Sequence, residues 1–227
     1  MSGLPDSVFV VIPALNEASV VGEVIEQVRR VCPNVVLVND GSSDETALRA
    51  RLAGARVISH AINLGQGAAL QTGITYALRL GASHIVTFDA DGQHDPKQIP
   101  ALIQSLAGGA DVALGTRFKG STIDMPMARR TLLRVACWVN FALTGLHLSD
   151  AHNGLRAFTR AAAERLRLRQ AGMAHATEIV AQVARLRLKY IEVPVTIRYT
   201  AYSLAKGQKL SNSVHILVDL LLKGLLR

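Results

Sequence analysis

Short apolar runs recur at regular intervals through the first half of the chain, at Val8–Ile12, Val35–Asn39, Ala55–Ser59, His84–Asp89 and Asp111–Gly115. They are rich in Val and Ile and mostly lack polar alternation, the pattern of strands covered on both faces. The stretches between them, Ala18–Arg30, Asp44–Ala53, Gly67–Leu80 and Pro96–Ala107, have the length and periodicity of helices. Asp95 stands where it can cap the last of these, with Pro96 at its first position. A chain that alternates strand and helix in this way is restricted to βαβ units, because parallel strands need a crossover and the helices must cover the sheet. The expected fold class is α/β, with a Rossmann-like, mainly parallel sheet flanked by helices.

The 227 residues suit one such domain, and 49% hydrophobic against 19% charged residues excludes a disordered chain. In the second half, Met127–Leu146 reads as a helix that is apolar on most faces. A short strand Leu155–Thr159, helices near Arg160–Leu168 and Ala174–Leu188, and a strand Tyr190–Ile197 follow. Pro194 confines that last strand to a sheet edge or a bulge. The formal net charge of +8 favours anionic partners. Aromatic residues are only 4%, too few for base-stacking platforms, and the basic residues are scattered, which argues against nucleic acid. Cys32 and Cys137 show no metal-ligand spacing and no disulfide framework, which suits a reducing cytosol. No run of about 18 or more apolar residues reads as a spanning helix. The first apolar run is too short for a signal peptide and has no basic region before it.

In open parallel sheets, ligands bind beyond the carboxyl ends of the strands. Five consecutive strand ends here carry polar or glycine-rich clusters: PALNE at 13–17, NDGSSDET at 39–46, NLGQG at 63–67, DADGQH at 89–94 and GTRF at 115–118. Taken singly, most have a structural explanation. Asp40-Gly41 is a common turn pair, Ser43 or Asp44 can cap the next helix, and Gly65 and Gly67 can form a tight turn. Asp89 and Asp91 are sharper. Two carboxylates one residue apart at the end of a buried strand repel each other unless a cation lies between them. Such hard oxygen ligands suit Mg²⁺ or Mn²⁺, usually shared with substrate phosphates.

The ordered set of motifs resembles the family 2 glycosyltransferases of GT-A fold, and within them the polyprenyl-phosphate hexose synthases of the dolichyl-phosphate mannose synthase-like branch. The matching runs are IPALNEA (12–18), VNDGSSDET (38–46), NLGQGAAL (63–70), FDADGQH (88–94), GTRF (115–118), DAHNGLRAF (150–158) and EVPV (192–195). The resemblance implies that Pro13, Leu15 and Glu17 line the nucleotide site, with Asp40 on the base and Gly65, Gly67, Asp89 and Ala90 alongside. It implies that Asp89, Asp91 and Gln93 hold the metal on the donor diphosphate. Arg117 and Arg129 would bind the acceptor phosphate, and Glu178 falls where the family has an acidic residue near the acceptor. The implied reaction is an inverting transfer of a hexose from a UDP- or GDP-linked sugar to a polyprenyl phosphate. The second strand ends in Asn39-Asp40 where the family usually has two aspartates, and the segment after EVPV lacks the family's Gly-x-Ser.

The acceptor decides whether a base is required. A phosphomonoester, with a second pKa near 6, is largely ionised at neutral pH and can attack unaided. A sugar hydroxyl would need a general base, for which Asp150 and Glu178 are the candidates. That alternative, a saccharide acceptor in polysaccharide assembly, remains open, as does a non-catalytic nucleotide-binding module. From Ser211 to Arg227 a tail helix carries its polar residues in one narrow stripe, and it divides from a catalytic domain spanning 1–210. Together with Met127–Leu146 it is expected either to lie in a membrane interface or to contact a second copy of the chain. The expected location is cytoplasmic, peripheral at the inner face of the cell membrane.

Overall fold

A computed structural model describes residues 4–170, 174–200 and 202–203. The expected tail helix Ser211–Arg227 lies outside the described residues. One sheet contains β1 (Val8–Ala14), β2 (Val35–Asn39), β3 (Arg56–Ser59), β4 (His84–Thr87), β5 (Val112–Ile123), β6 (Arg156–Thr159) and β7 (Tyr190–Arg198), in the order β3-β2-β1-β4-β6-β5-β7. Only β6 runs against its neighbours, pairing antiparallel with both β4 and β5. The helices are α1 (Val21–Arg29), α2 (Thr46–Leu52), α3 (Gln66–Arg79), α4 (Ile99–Leu106), α5 (Met127–Thr144), α6 (Arg160–Arg165) and α7 (Ala174–Arg185). A 3₁₀ turn, Pro96–Gln98, leads into α4, and the Asp95 side chain caps it by accepting from the Lys97 N–H at 3.0 Å.

The sheet has two cores because β1 is buried along its whole length. Val8, Val10, Ile12 and Ala14 point into one, with α1 and α4. Phe9 and Val11 point into the other, with α3 and α7. Val21, Val24, Ile25 and Val28 recur at helical spacing on α1 and are buried there. Each such side chain contributes about 1.5–3 kcal/mol. Pro194 sits in β7, at the sheet edge where its missing N–H costs no ladder bond.

Several boundaries differ from expectation for identifiable reasons. β5 continues past Gly115 to Ile123, because β7 stays paired with it across a bulge between Thr116 and Ser121. α1 starts at Val21 rather than Ala18, since residues 16–18 are held by the loop after β2. α6 ends at Arg165, because Leu166 leaves it in an extended conformation and both Leu166 and Leu168 turn into the core.

The antiparallel strand decides where the site can form. Arg156 pairs with Thr87, the last residue of β4. The segment preceding β6, Asp150–Leu155, therefore arrives at the edge where the parallel strands end. Motifs from both halves of the sequence meet along this edge.

Candidate active site

The loops after β1 and β2 are stitched together. Asn16, held at φ 53°, accepts from the Ser43 N–H at 2.9 Å, and its own N–H donates to the Ser42 hydroxyl at 2.9 Å. The Glu17 N–H donates to Thr46 Oγ1 at 2.7 Å. Asp44 accepts from the Ala18 N–H at 3.1 Å and from the Thr46 N–H at 3.0 Å, so it caps α2 and clasps the neighbouring loop at once. Pro13 and Ala14 end β1 in pairs with Val38 and Asn39, and Leu15 follows half-buried. The Glu17 carboxylate accepts from the Tyr202 hydroxyl at 2.7 Å, which brings the segment after β7 back over this end of the site.

Asp40 is buried and holds the glycine loop. Its Oδ1 accepts from the Leu64 N–H at 2.9 Å and lies 2.7 Å from His60 Nδ1, and its Oδ2 accepts from the Gly65 N–H at 2.7 Å. His60 Nε2 lies 3.0 Å from Thr72 Oγ1, so α3 fixes the ring that contacts Asp40. Gly65 has φ 93° and ψ 156°, a conformation essentially reserved for glycine. Gly67 packs beneath residue 170, where a Cβ would stand 2.1 Å from the Gln170 carbonyl oxygen.

Asp89 and Asp91 lie just past the end of β4. Asp89 Oδ2 lies 3.0 Å from His94 Nε2, and its Oδ1 accepts from the Gln66 amide at 3.3 Å. Burial works against its charge, but the His94 hydrogen bond and the fields of His94, His175 and Arg156 outweigh it and hold the carboxyl below its ordinary range. Asp91 is pushed up to about 6, first by burial and then by Asp89. Their environments thus separate the two neighbouring carboxylates, one held ionised and the other favoured toward its neutral form. Asp91 Oδ1 accepts from the Gln93 N–H at 3.0 Å, and the Gln93 carbonyl accepts from the Arg198 N–H at 3.0 Å. Gly154 leaves the space that Asp89 needs, since a Cβ there would lie 2.0 Å from Asp89 Oδ2. The donor set of carboxylate and amide oxygens fits a hard divalent cation. Among the described residues no group of three or more His, Cys, Asp or Glu side chains is arranged to hold a metal by itself. A cation on Asp89 and Asp91 would therefore draw further ligands from Gln93, substrate phosphates or water.

Arg117 and Asp150 lie on the same edge, but they are committed to each other. Arg117 Nε donates to Asp150 Oδ2 at 2.6 Å, its backbone N–H donates to the same oxygen at 3.1 Å, and its Nη1 donates to the Tyr199 hydroxyl at 2.7 Å. Burial disfavours the guanidinium charge, yet Asp150 and Tyr199 more than restore it and raise its pKa. The Asp150 side chain is fully buried and also accepts from the His152 N–H at 3.3 Å. Asp150 is thus the partner of a buried cation rather than an open base, and Arg117 is a clamp on Tyr199 rather than an open phosphate ligand. Arg129, on α5, stands 5.4 Å over the Tyr199 ring, while its neighbour Arg130 is exposed.

Glu178 is also occupied. Its carboxylate accepts from the Arg169 N–H at 3.0 Å and from the Gln170 N–H at 2.9 Å, holding the segment that covers Gly67. It acts as a backbone cap rather than as a free base. Ala90 is buried beside Asp89.

Sequence reasoning missed the interior cations and rings behind these groups. Arg156 is buried, donates to the Ala151 carbonyl at 3.1 Å, and is pulled down to about 10 by burial against the opposing pull of Asp89 and Asp150. His152 is pushed down to about 4, chiefly by burial, so it is neutral at pH 7. His94, His152 and Arg156 all stand inside the quoted motifs, and they could have been read as partners for the acids there. His60, His175, Tyr199 and Tyr202 stand outside those motifs, and only the fold brings them in.

α5 flanks the site and turns apolar residues outward: Met127 is 75% exposed, Val135 46% and Trp138 71%. Arg130 and Arg134 share that exposed side. No helix among the described residues is long and apolar enough to cross a membrane.

A doubly covered, mainly parallel sheet gathers a glycine loop and a carboxylate pair at its carboxyl edge, as expected of a nucleotide-dependent transferase of the GT-A type. The comparisons agree with this. Residues 9–167 match the family described as Glycosyl transferase family 2, and the chain belongs to that family. It is a glycosyltransferase with a nucleotide-sugar donor. It is 30% identical over 240 residues to the UDP-N-acetylglucosamine–dolichyl-phosphate N-acetylglucosaminyltransferase of Methanococcus voltae, covering 95% of each chain. It is 32% identical over 200 residues to the polyprenol monophosphomannose synthase of Mycolicibacterium smegmatis, covering 82% of this chain and 76% of that one. The glucosyl-3-phosphoglycerate synthase of Mycobacterium tuberculosis, solved with Mn²⁺, UDP-glucose and phosphoglyceric acid, shares the fold with a TM-score of 0.72 at 20% identity, over 96% of this chain and 79% of that one.

Proposed function

We propose that this glycosyltransferase moves a hexose from a UDP- or GDP-linked sugar to a polyprenyl phosphate, by a single inverting displacement at a membrane surface. The observation that carries this reading is that both candidate bases, Asp150 and Glu178, are already engaged. Asp150 is neutralised by Arg117 and Glu178 is occupied by backbone N–H groups. A sugar hydroxyl would need a base, whereas a phosphomonoester arrives ionised. The relatives named for dolichyl phosphate and polyprenol support the same acceptor.

In this reading Pro13, Leu15 and Glu17 line the nucleotide, while Asp40, expected from sequence to contact the base, is buried with both oxygens engaged and instead orders the Asn63–Gly67 loop beside it. Asp89, Asp91 and Gln93 hold Mg²⁺ or Mn²⁺, as the solved neighbour with Mn²⁺ and UDP-glucose suggests. A cation there neutralises charge that develops on the leaving diphosphate. His94 and Gln66 fix the Asp89 carboxylate so that it meets the cation without rearranging. Arg117 holds the buried Tyr199, and Arg129, over the Tyr199 ring, supplies the cation for the acceptor phosphate. The outward face of α5, with Trp138, Val135 and Met127 beside Arg130 and Arg134, suits the headgroup layer in which a polyprenyl phosphate presents its phosphate.

The test is a panel of UDP-, GDP- and dTDP-sugars with Mn²⁺ or Mg²⁺, with and without a polyprenyl phosphate, reading release of nucleoside diphosphate. One donor should be consumed only when lipid phosphate and metal are both present. Equal turnover with a saccharide replacing the lipid would overturn the acceptor assignment.

A further inference from the structure

A second basic site lies away from the catalytic edge, between the C-terminal half of α3 and the segment after α6. Residues 165–170 read RLRLRQ, and the extended segment alternates: Leu166 and Leu168 turn into the core while Arg167 and Arg169 turn out. The outward arginines face Arg79 of α3 and Arg160 of α6 across a groove of about 560 Å³. This volume is within the range of small-ligand sites, about 300–1,000 Å³.

Two features distinguish the groove from a merely solvated face. Four arginines line it, with Glu164 as its one lining carboxylate. Arg160 pairs with Glu164 at 2.7 Å, but Arg79, Arg167 and Arg169 have no carboxylate within salt-bridge distance among the described residues. The groove is also built on fixed parts. Arg160 Nη1 donates to the Ala82 carbonyl at 3.0 Å, Arg167 Nη1 donates to the Glu164 and Leu166 carbonyls at 2.7 Å each, and Gln71 accepts from the Leu168 N–H at 2.7 Å. Leu78 and Leu168 add apolar wall beneath the charges. Several guanidinium forks held around one concavity suit phosphate oxygens, which accept such forks in pairs.

We infer that this groove is a second anion site that binds a phosphate-bearing ligand, either a soluble phosphorylated compound or an anionic lipid headgroup. It does not depend on the catalytic reading: Arg169 belongs to the segment that covers Gly67, but the other lining residues lie off the carboxyl edge of the sheet.

The test uses the full chain and inorganic pyrophosphate in the presence of a chelator, so that no metal recruits the probe to Asp89 and Asp91. Calorimetry should show saturable binding by the wild-type protein and by Asp91→Asn alike. Arg79→Gln with Arg169→Gln, both exposed positions, should weaken it about tenfold or more. Pyrophosphate should raise the melting temperature of the wild type and leave the double variant unchanged. In a parallel arm, vesicles of phosphatidylglycerol in phosphatidylcholine are compared with phosphatidylcholine alone. Binding lost in the double variant in that arm assigns the site to a headgroup, and binding lost only in the pyrophosphate arm assigns it to a soluble ligand. If neither probe binds, or if both bind the double variant as tightly as the wild type, the inference is wrong. Should the double variant fail to fold, the two single variants carry the same comparison.

Discussion

Asp91 follows β4 and Asp150 precedes β6. Both sit on one sheet edge inside recognisable motifs, yet their surroundings are opposite. Asp91 has a like charge next to it and burial against it, and its pKa rises to about 6. Asp150 has the Arg117 guanidinium 2.6 Å away and is sealed from water. The difference follows what the neighbouring strands supply. At the end of β4, Asp91 is left beside Asp89 with no ion pair among the described residues. On the side built around β6, that strand brings in Arg156, the neighbouring β5 supplies Arg117, and the acid is answered from within.

The largest effect should come from breaking the internal pair. Arg117→Ala leaves Asp150 buried without its counter-charge and should lower unfolding free energy by about 3–5 kcal/mol, measured by urea denaturation. If Arg117 were only an open phosphate ligand, stability would stay near that of the wild type while acceptor use fell. Asp91→Asn should do the reverse, retaining the fold while turnover falls by about a hundredfold or more at saturating metal. Gly154→Ala tests the place where the two sides touch. Its new Cβ collides with Asp89, and the variant should lose about 1–3 kcal/mol of stability together with a clear loss of activity. Wild-type stability and turnover in that variant would mean that Asp89 has room to spare.

The smallest effect is a pH dependence. Below about pH 6 Asp91 is protonated and neutral, and a proton must leave before a cation binds. Mn²⁺ affinity should therefore fall by up to about tenfold per pH unit below pH 6 and level off above it. The trend follows the raised pKa of Asp91, because Asp89 is held down and stays ionised through this range. A flat Mn²⁺ affinity from about pH 5 to pH 8 would remove Asp91 from the ligand set.

The parallel side was almost fully legible from sequence. Periodicity located β1 to β4 and their helices, and a strand end is where an exposed acid or glycine must be explained. Even the alternatives there coexist with function: Asp44 does cap α2 while it clasps the neighbouring loop. The other side was legible as motif but not as role. Arg117, Asp150 and Glu178 were read as open groups because a sequence shows no burial, and each proves to be engaged by a partner distant in the chain. Arg156 was passed over for the same reason, since an arginine in a short apolar strand declares nothing until the strand is found between two acids. Tyr199 and Tyr202 belong to the chain beyond the last motif, and only the return of β7 to the site edge brings them to Arg117 and Glu17.

The proposed function requires Asp89 and Asp91 to hold a divalent cation together with a nucleoside diphosphate at the end of β4. Electron paramagnetic resonance of Mn²⁺, titrated with protein in the presence of UDP or GDP, reads that complex directly. The wild type should form a ternary complex in which nucleotide and metal tighten each other, and Asp91→Asn should lose it while keeping the wild-type circular dichroism spectrum. An Asp91→Asn protein that binds the Mn²⁺–nucleotide pair as tightly as the wild type would contradict the account.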